Sequence, residues 1–158
     1  MSQGLSDLVD RELLVFTSGQ SFFAIDLSLV VQIIDYEKPA MPPRKAPHAE
    51  GVIEFRNHYI PLISLRKWLG LEESEVTAKP VILIVRLGDG HCGLSVDSVT
   101  QILSQNLEEV TEPPPKVQGV RSEYLKGVFN FNGKPLLWIN LDSLSGLSGE
   151  DFPIATSQ

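Results

Sequence analysis

The chain has 158 residues, 42% of them hydrophobic and 21% charged. That is about one domain in length, enough to bury roughly 70% of the unfolded surface without a disulfide or a metal, and the balance excludes a wholly disordered or fibrous chain. Thirteen Lys and Arg against twenty Asp and Glu leave a formal charge of −7, the wrong sign for a protein that holds phosphate backbones, so no nucleic-acid partner is expected.

Met1 to Asp10 lacks both the basic start and the apolar core of a signal peptide, which points to the cytoplasm. A first strand over Leu13 to Thr17 runs into turn chemistry at Ser18-Gly19-Gln20 and then a second strand. The connector Asp35 to Glu50 holds Pro39-Ala40-Met41-Pro42-Pro43-Arg44, which fits the pattern of a proline-rich ligand but is better explained as a stiff linker. Gly51 to Phe55 and Tyr59 to Ile63 flank a hairpin turn at Arg56-Asn57, where Asn adopts positive φ readily and Arg does not. Pro61 cannot donate to a ladder, so its strand is expected at a sheet edge or a bulge. Leu65 to Leu69 predicts one helical turn capped by Gly70, and the acidic run Glu72-Glu73-Ser74-Glu75 a solvated loop.

Val81 to Val85 is a short β-branched run suited to a strand covered on both faces, and far short of the roughly 18 residues of a membrane helix. Gly88-Asp89-Gly90 turns it into the next strand. The second connector carries Pro113-Pro114-Pro115, and Asn132-Gly133 is a strong hairpin signal between Phe129, Phe131 and Leu136, Trp138. The termini, 1–10 and 148–158, carry little pattern and are expected to be flexible.

These elements repeat. Residues 13–34 lie over 82–103 at an offset of 69, with Leu14, Gly19, Val30, Gln32 and Ile33 on Leu83, Gly88, Val99, Gln101 and Ile102. Residues 51–70 lie over 127–146 at an offset of 76, matching Gly51, Val52, Phe55, Ile63, Leu65 and Gly70 identically. The offsets differ by 76 − 69 = 7, all of it in the connectors of 16 and 23 residues, where a fold tolerates insertion. Two collinear blocks predict an internal duplication, repeats of about 13–70 and 82–146, within one domain over 11–147. Many strands, many turns and little helical periodicity predict an all-β pair of small barrels or sandwiches in one compact unit.

Nothing in the chain has the pattern of an active site. His48, His58 and His91 lack partners at metal spacing, and His91 and Cys92 are strand neighbours that point to opposite faces. Cys92 lies over Phe23 in the repeat, which suits a small core residue. No nucleophile elbow, dinucleotide-binding or phosphate-binding loop occurs, so neither a cofactor nor an enzymatic activity is expected. An enzyme would need an undetected site at His58 or His91. Arg56 stands out, being a charged residue at a hairpin tip.

With these residues in view, the chain resembles the CheW-like coupling proteins of bacterial chemosensory arrays, over nearly all of Leu13 to Gly146. Leu14-Val15-Phe16 with Phe23-Ala24-Ile25-Asp26 looks like the family's opening hairpin, and Val30-Val31-Gln32-Ile33 like its V-x-E-I segment. Gly51 to Asn57 followed by Ile60-Pro61-Leu62-Ile63-Ser64-Leu65-Arg66 is similar to G-V-x-N-L-R-G and P-V-x-D-L-R. Gly93-Leu94 with Val96-Asp97-Ser98-Val99 resembles G-L-x-V-D-x-V, and Tyr124 to Val128 the late Y-I-x-G-V.

The resemblance implies two intertwined five-stranded barrels of the Src-homology-3-like type and no catalysis. It also implies an adaptor in the cytoplasm, at receptor arrays on the inner face of the membrane. Such an adaptor links the cytoplasmic tip of a chemoreceptor, a methyl-accepting chemotaxis protein, to the regulatory domain of a histidine kinase, and repetition of such head-to-tail contacts implies ring or array assembly. Carried over by residue, Val30, Gln32 and Arg56 lie where the family meets its receptor; no motif-level residue marks the kinase face. Departures from the pattern are Gln32 for the family's Glu, Glu54-Phe55-Arg56-Asn57 for Asn-Leu-Arg-Gly, and Ser64 for the Asp before Leu-Arg. Loss of the acid at Gln32 removes a charged contact and is expected to alter receptor choice, which leaves open a pilus-motility or other divergent array; a self-associating structural β-module is the alternative within the interaction class.

Overall fold

The computed structural model describes residues 10–40, 49–71 and 80–146. The terminal segments 1–9 and 147–158, Met41 to His48 with most of the proline-rich linker, and the acidic run Glu72 to Glu75 lie outside the described residues.

The fold is two five-stranded sheets. In chain order come β1 (Asp10–Ser18), β2 (Ser21–Asp26), β3 (Val30–Asp35), β4 (Ala49–Phe55), β5 (His58–Ser64) and the helical turn α1 (Leu65–Leu69). The second half runs β6 (Val81–Leu87), β7 (Gly90–Val96), β8 (Ser98–Asn106), the short β9 (Lys116–Val117) and β10 (Val120–Arg121), then β11 (Leu125–Phe131) and β12 (Lys134–Ile139). One sheet has the order β11-β12-β2-β1-β8, the other β4-β5-β7-β6-β3. Each opening hairpin is therefore seated among strands of the opposite half, through the parallel pairs β2–β12 and β5–β7. We call the two the β1 sheet and the β6 sheet.

The registers of the two sheets correspond residue for residue. Leu14 opposite Ile102 has its counterpart in Leu83 opposite Ile33, and Trp138 opposite Ala24 in Leu62 opposite Gly93. Irregularities repeat too, with an extra residue at Thr100 and Val31 in one ladder type and at Lys126 and Glu50 in the other. Connectors cross the outer edges of β4 and β11 alike, through the bridges Ala40–Val52 and Thr111–Val128.

Alternation explains the apolar runs, because successive residues of a strand face opposite sides. In β1, Leu13 and Val15 fill the β1 sheet's own cluster with Phe129, Phe131, Leu136 and Trp138, while Leu14 and Phe16 face a central cluster shared by both sheets. In β6, Ile82 and Ile84 face the second sheet's own cluster, and Leu83 and Val85 the centre. Each sheet curls around its own cluster; Val31 and Ile34 from β3 and Phe55 from β4, at opposite ends of the strand order, reach the same one. Among the described residues no ladder joins β3 to β4 or β8 to β11.

Turn chemistry follows the sequence. Gly19 and Gly88 have positive φ at the first position of two-residue hairpins, and Asn132-Gly133 has φ 52° and 83°, the type I′ pattern. α1 starts at Ser64, whose hydroxyl accepts from Lys67 N at 3.4 Å, and stops at Gly70 with φ 75°. Pro61 departs from expectation, since β5 is internal and the bulge of its ladder lies elsewhere, at Glu50. Opposite it, Val52 turns both its N–H and its C=O outward to Ala40, so this pair makes no ladder bonds and the missing N–H costs nothing. On the other side the β7 ladder begins only at Leu62.

Cys92 is fully buried in the central cluster, and burial pushes its thiol up to about 12 from 9.0. Between these values the unfolded chain loses the proton and the folded one keeps it. Stability therefore falls as pH rises above 9, by up to about 1.4 kcal/mol per pH unit. Urea midpoints at pH 8 and pH 10 will show this slope in the native chain and a flatter one in Cys92→Ala; equal slopes would mean that the thiol ionises in place.

Candidate functional site

The Arg56 turn closes the β4–β5 hairpin with φ 53° at Arg56 and 66° at Asn57, so both central residues sit in the left-handed region that a type I′ turn requires. For arginine this conformation is uncommon. The side chain is exposed, its guanidinium carbon 4.8 Å from the centre of the Phe55 ring. Phe55 in turn leans on the His91 ring at 6.2 Å and on the β6 sheet's cluster. Among the described residues Arg56 forms no ion pair. The fold thus holds one cation outward on an aromatic base, free to meet a carboxylate.

Val30 and Gln32 lie on β3, an edge strand whose ladder partner is β6. The extra residue Val31 sets them on opposite faces. Val30 pairs with Val85 and packs on the central cluster, whereas Gln32, exposed, pairs with Ile84, which fills the β6 sheet's own cluster. No hydrogen bond or ion pair among the described residues joins Val30, Gln32 and Arg56. Sequence reasoning overlooked two apolar residues here, Ile33 on β3 and Ile102 on β8, which are 42% and 55% exposed at counterpart positions of the two edge strands. Their identity across the repeat was the available signal.

Other motif residues hold the fold. Arg66 Nη2 donates to both oxygens of Asp97, at 3.0 and 2.9 Å, and Asp97 Oδ2 also accepts from Gly19 N at 2.7 Å. This largely buried pair ties α1, the end of β7 and the β1–β2 turn together. Ser64 replaces the family's acid without losing the cap, since serine is as good an N-cap as aspartate. Asp26, buried, accepts from Trp138 Nε1 at 2.8 Å, Arg11 Nη1 at 2.7 Å and Lys126 Nζ at 3.4 Å. His58 and His91 are exposed at the same end of the β6 sheet as Arg56. Among the described residues no group of three or more His, Cys, Asp or Glu gathers as metal ligands, and no helix is long and apolar enough to cross a membrane.

The model of the CheW-like domain family matches residues 12–147. A probable chemotaxis protein CheW of Rhizobium etli is 27% identical over 136 residues, covering 85% of this chain and 87% of the relative. The chemotaxis protein CheW of Bacillus subtilis is 32% identical over 108 residues, covering 68% and 69%. Among solved structures, the scaffolding protein TtCheW of Thermoanaerobacter tengcongensis superposes with a TM-score of 0.74 at 23% identity, over 91% of this chain and 93% of that one.

Proposed function

Because this chain belongs to the CheW-like domain family, we propose that it is a non-enzymatic adaptor coupling chemoreceptor cytoplasmic tips to a chemotaxis-type histidine kinase. The observation that carries the reading is the family match, which spans both sheets and every strand from β1 to β12. An adaptor needs separate faces for its two partners, and a rigid pair of packed sheets supplies them without any moving chemistry. The same reading takes residues 11–147 as one domain of two repeats and places the protein in the cytoplasm at receptor arrays.

Val30, Gln32 and Arg56 are the receptor-facing residues of this proposal. An unpaired guanidinium at a hairpin tip and an edge strand with partly exposed apolar residues suit a helix that brings both a carboxylate and apolar side chains. Arg56→Glu reverses the charge at an exposed position, so stability should change by no more than about 0.5 kcal/mol. Receptor affinity should fall on the order of tenfold or more. Unchanged affinity in a calorimetric titration with receptor signalling tips would remove Arg56 from the site.

The function itself is tested by titrating the protein into a chemosensory kinase with receptor tips present and following ATP-dependent autophosphorylation. A saturable change that requires the receptor is the expected result. A flat rate with both partners active would leave the fold standing and move the function to another partner.

A further inference from the structure

Among the described residues, one polar contact that the repeat builds twice has its cation in only one of the two sheets. The bulge residue of β11, Lys126, reaches Asp26 on β2 with Nζ 3.4 Å from Oδ2. In the β6 sheet the bulge residue is Glu50, and Ser95 stands where Asp26 would be. There Ser95 Oγ donates to Glu50 Oε2 at 3.3 Å and Tyr36 Oη donates to Oε1 at 2.9 Å. Among the described residues no Lys, Arg or His forms an ion pair with Glu50. The other sheet supplies its cation from within; this one supplies two hydroxyls.

Space lies beside the carboxylate, in a cleft of about 260 Å³ between Glu50, Tyr36, Asp97 and the end of β7. Its walls include the buried hydroxyl residues Ser18 and Ser64, while Pro80 and Val96 give an apolar side. Arg66 and Asp97 both line the cleft and pair with each other at 2.9 Å, so that among the described lining residues Glu50 carries the remaining charge. Burial, followed by the hydrogen bond to Glu50 and its charge, pushes the Tyr36 phenol up to about 12 from 10.0.

We propose that this cleft binds a short primary alkylammonium group, its nitrogen against Glu50 as Lys126 Nζ stands against Asp26, and its carbon stem along Pro80 and Val96. A primary ammonium has three donors, and the Glu50 carboxylate keeps acceptor capacity beyond the two hydroxyl bonds it already accepts. Ser18 and Ser64 oxygens at the wall can take the others. The chemistry is shared by a free small amine and by a lysine side chain of another protein. It stands independently of the receptor and kinase reading.

The test is an amide NMR titration of the full chain with n-butylammonium chloride, against sodium chloride and tetramethylammonium chloride at equal ionic strength. Saturable shifts at Glu50 and Ser95 with butylammonium only are the expected result. Glu50→Gln should raise half-saturation about tenfold while the spectrum away from the cleft stays native, and Asp89→Asn, at an exposed turn, should leave it unchanged. In a parallel arm, Nα-acetyl-lysine methylamide binding as tightly as butylammonium points to a lysine side chain, and weaker binding to a free amine; both uphold the site. Absence of saturation, an equal response to tetramethylammonium, or an unchanged titration in Glu50→Gln would overturn it.

Discussion

Replacing Gly127 by Ala is expected to destabilise the protein by about 3 kcal/mol, and removing the neighbouring branch in Val110→Ala to recover most of that loss. A Cβ at Gly127 would overlap Val110 Cγ2 and stand 3.3 Å from Thr111 O. The connector is held close here by the paired bonds Thr111 N to Val128 O and Val128 N to Thr111 O, each 2.9 Å. Val110 also packs on the β1 sheet's cluster, so its truncation alone leaves a small void. In urea denaturation the double variant should therefore be more stable than the sum of the two single losses predicts, by more than about 1 kcal/mol. Simple additivity would show that the strand shifts to admit the methyl group. Gly51, at the counterpart position, should allow no such rescue: a Cβ there would lie 2.8 Å from the backbone oxygen of Ala40, and φ is +150°.

Asp26→Ala should cost about 3 kcal/mol, because the carboxylate is the acceptor for three donors on three other strands. Arg11 and Lys126 are partly exposed, and water takes over much of their solvation when the acid is removed. The Trp138 N–H is buried and has no such recourse. Combining Asp26→Ala with Trp138→Phe removes the orphaned donor, so the second change should cost less in that background than in the native chain. If Trp138→Phe costs the same in both, the buried hydrogen bond contributes nothing and the loss belongs to the cations.

The strands and hairpins were legible because alternation is local. Val81 to Val85, taken as covered on both faces, divides its side chains between the central cluster and the sheet's own. The seating of each opening hairpin in the opposite half was not legible from composition or spacing, since alternation says which way a residue points and not which strand lies beside it. The β9–β10 hairpin escaped notice for another reason. Its strands are two residues each, too short to alternate, and its turn is Gln118-Gly119, with φ 49° and 87°. Asp26 and Trp138 are 112 residues apart, and the counterpart positions carry Ser95 and Leu62, which hid the polar cluster from a search for repeated chemistry. At the candidate site, the unusual backbone of Arg56 was visible in its residue type. Val30 and Gln32 came from family resemblance, and a spacing of two would put them on one face of a regular strand. The bulge at Val31 turns them apart, and no local pattern announced it.

The exchange of hairpins also dictates an order of events on the ribosome. β1 and β2 emerge first, but the strands that flank them, β8 and β12, belong to the second half. At about 5–20 residues per second, the 112 residues separating Asp26 from Trp138 take roughly 6 to 22 s to synthesise. Until the end of that interval Leu13 and Val15 lack Phe129, Phe131, Leu136 and Trp138, the late-made members of their cluster. Neither half can close its sheet alone, so folding waits for β12, and a ribosome stalled near residue 80 would display an aggregation-prone hairpin for chaperones to hold.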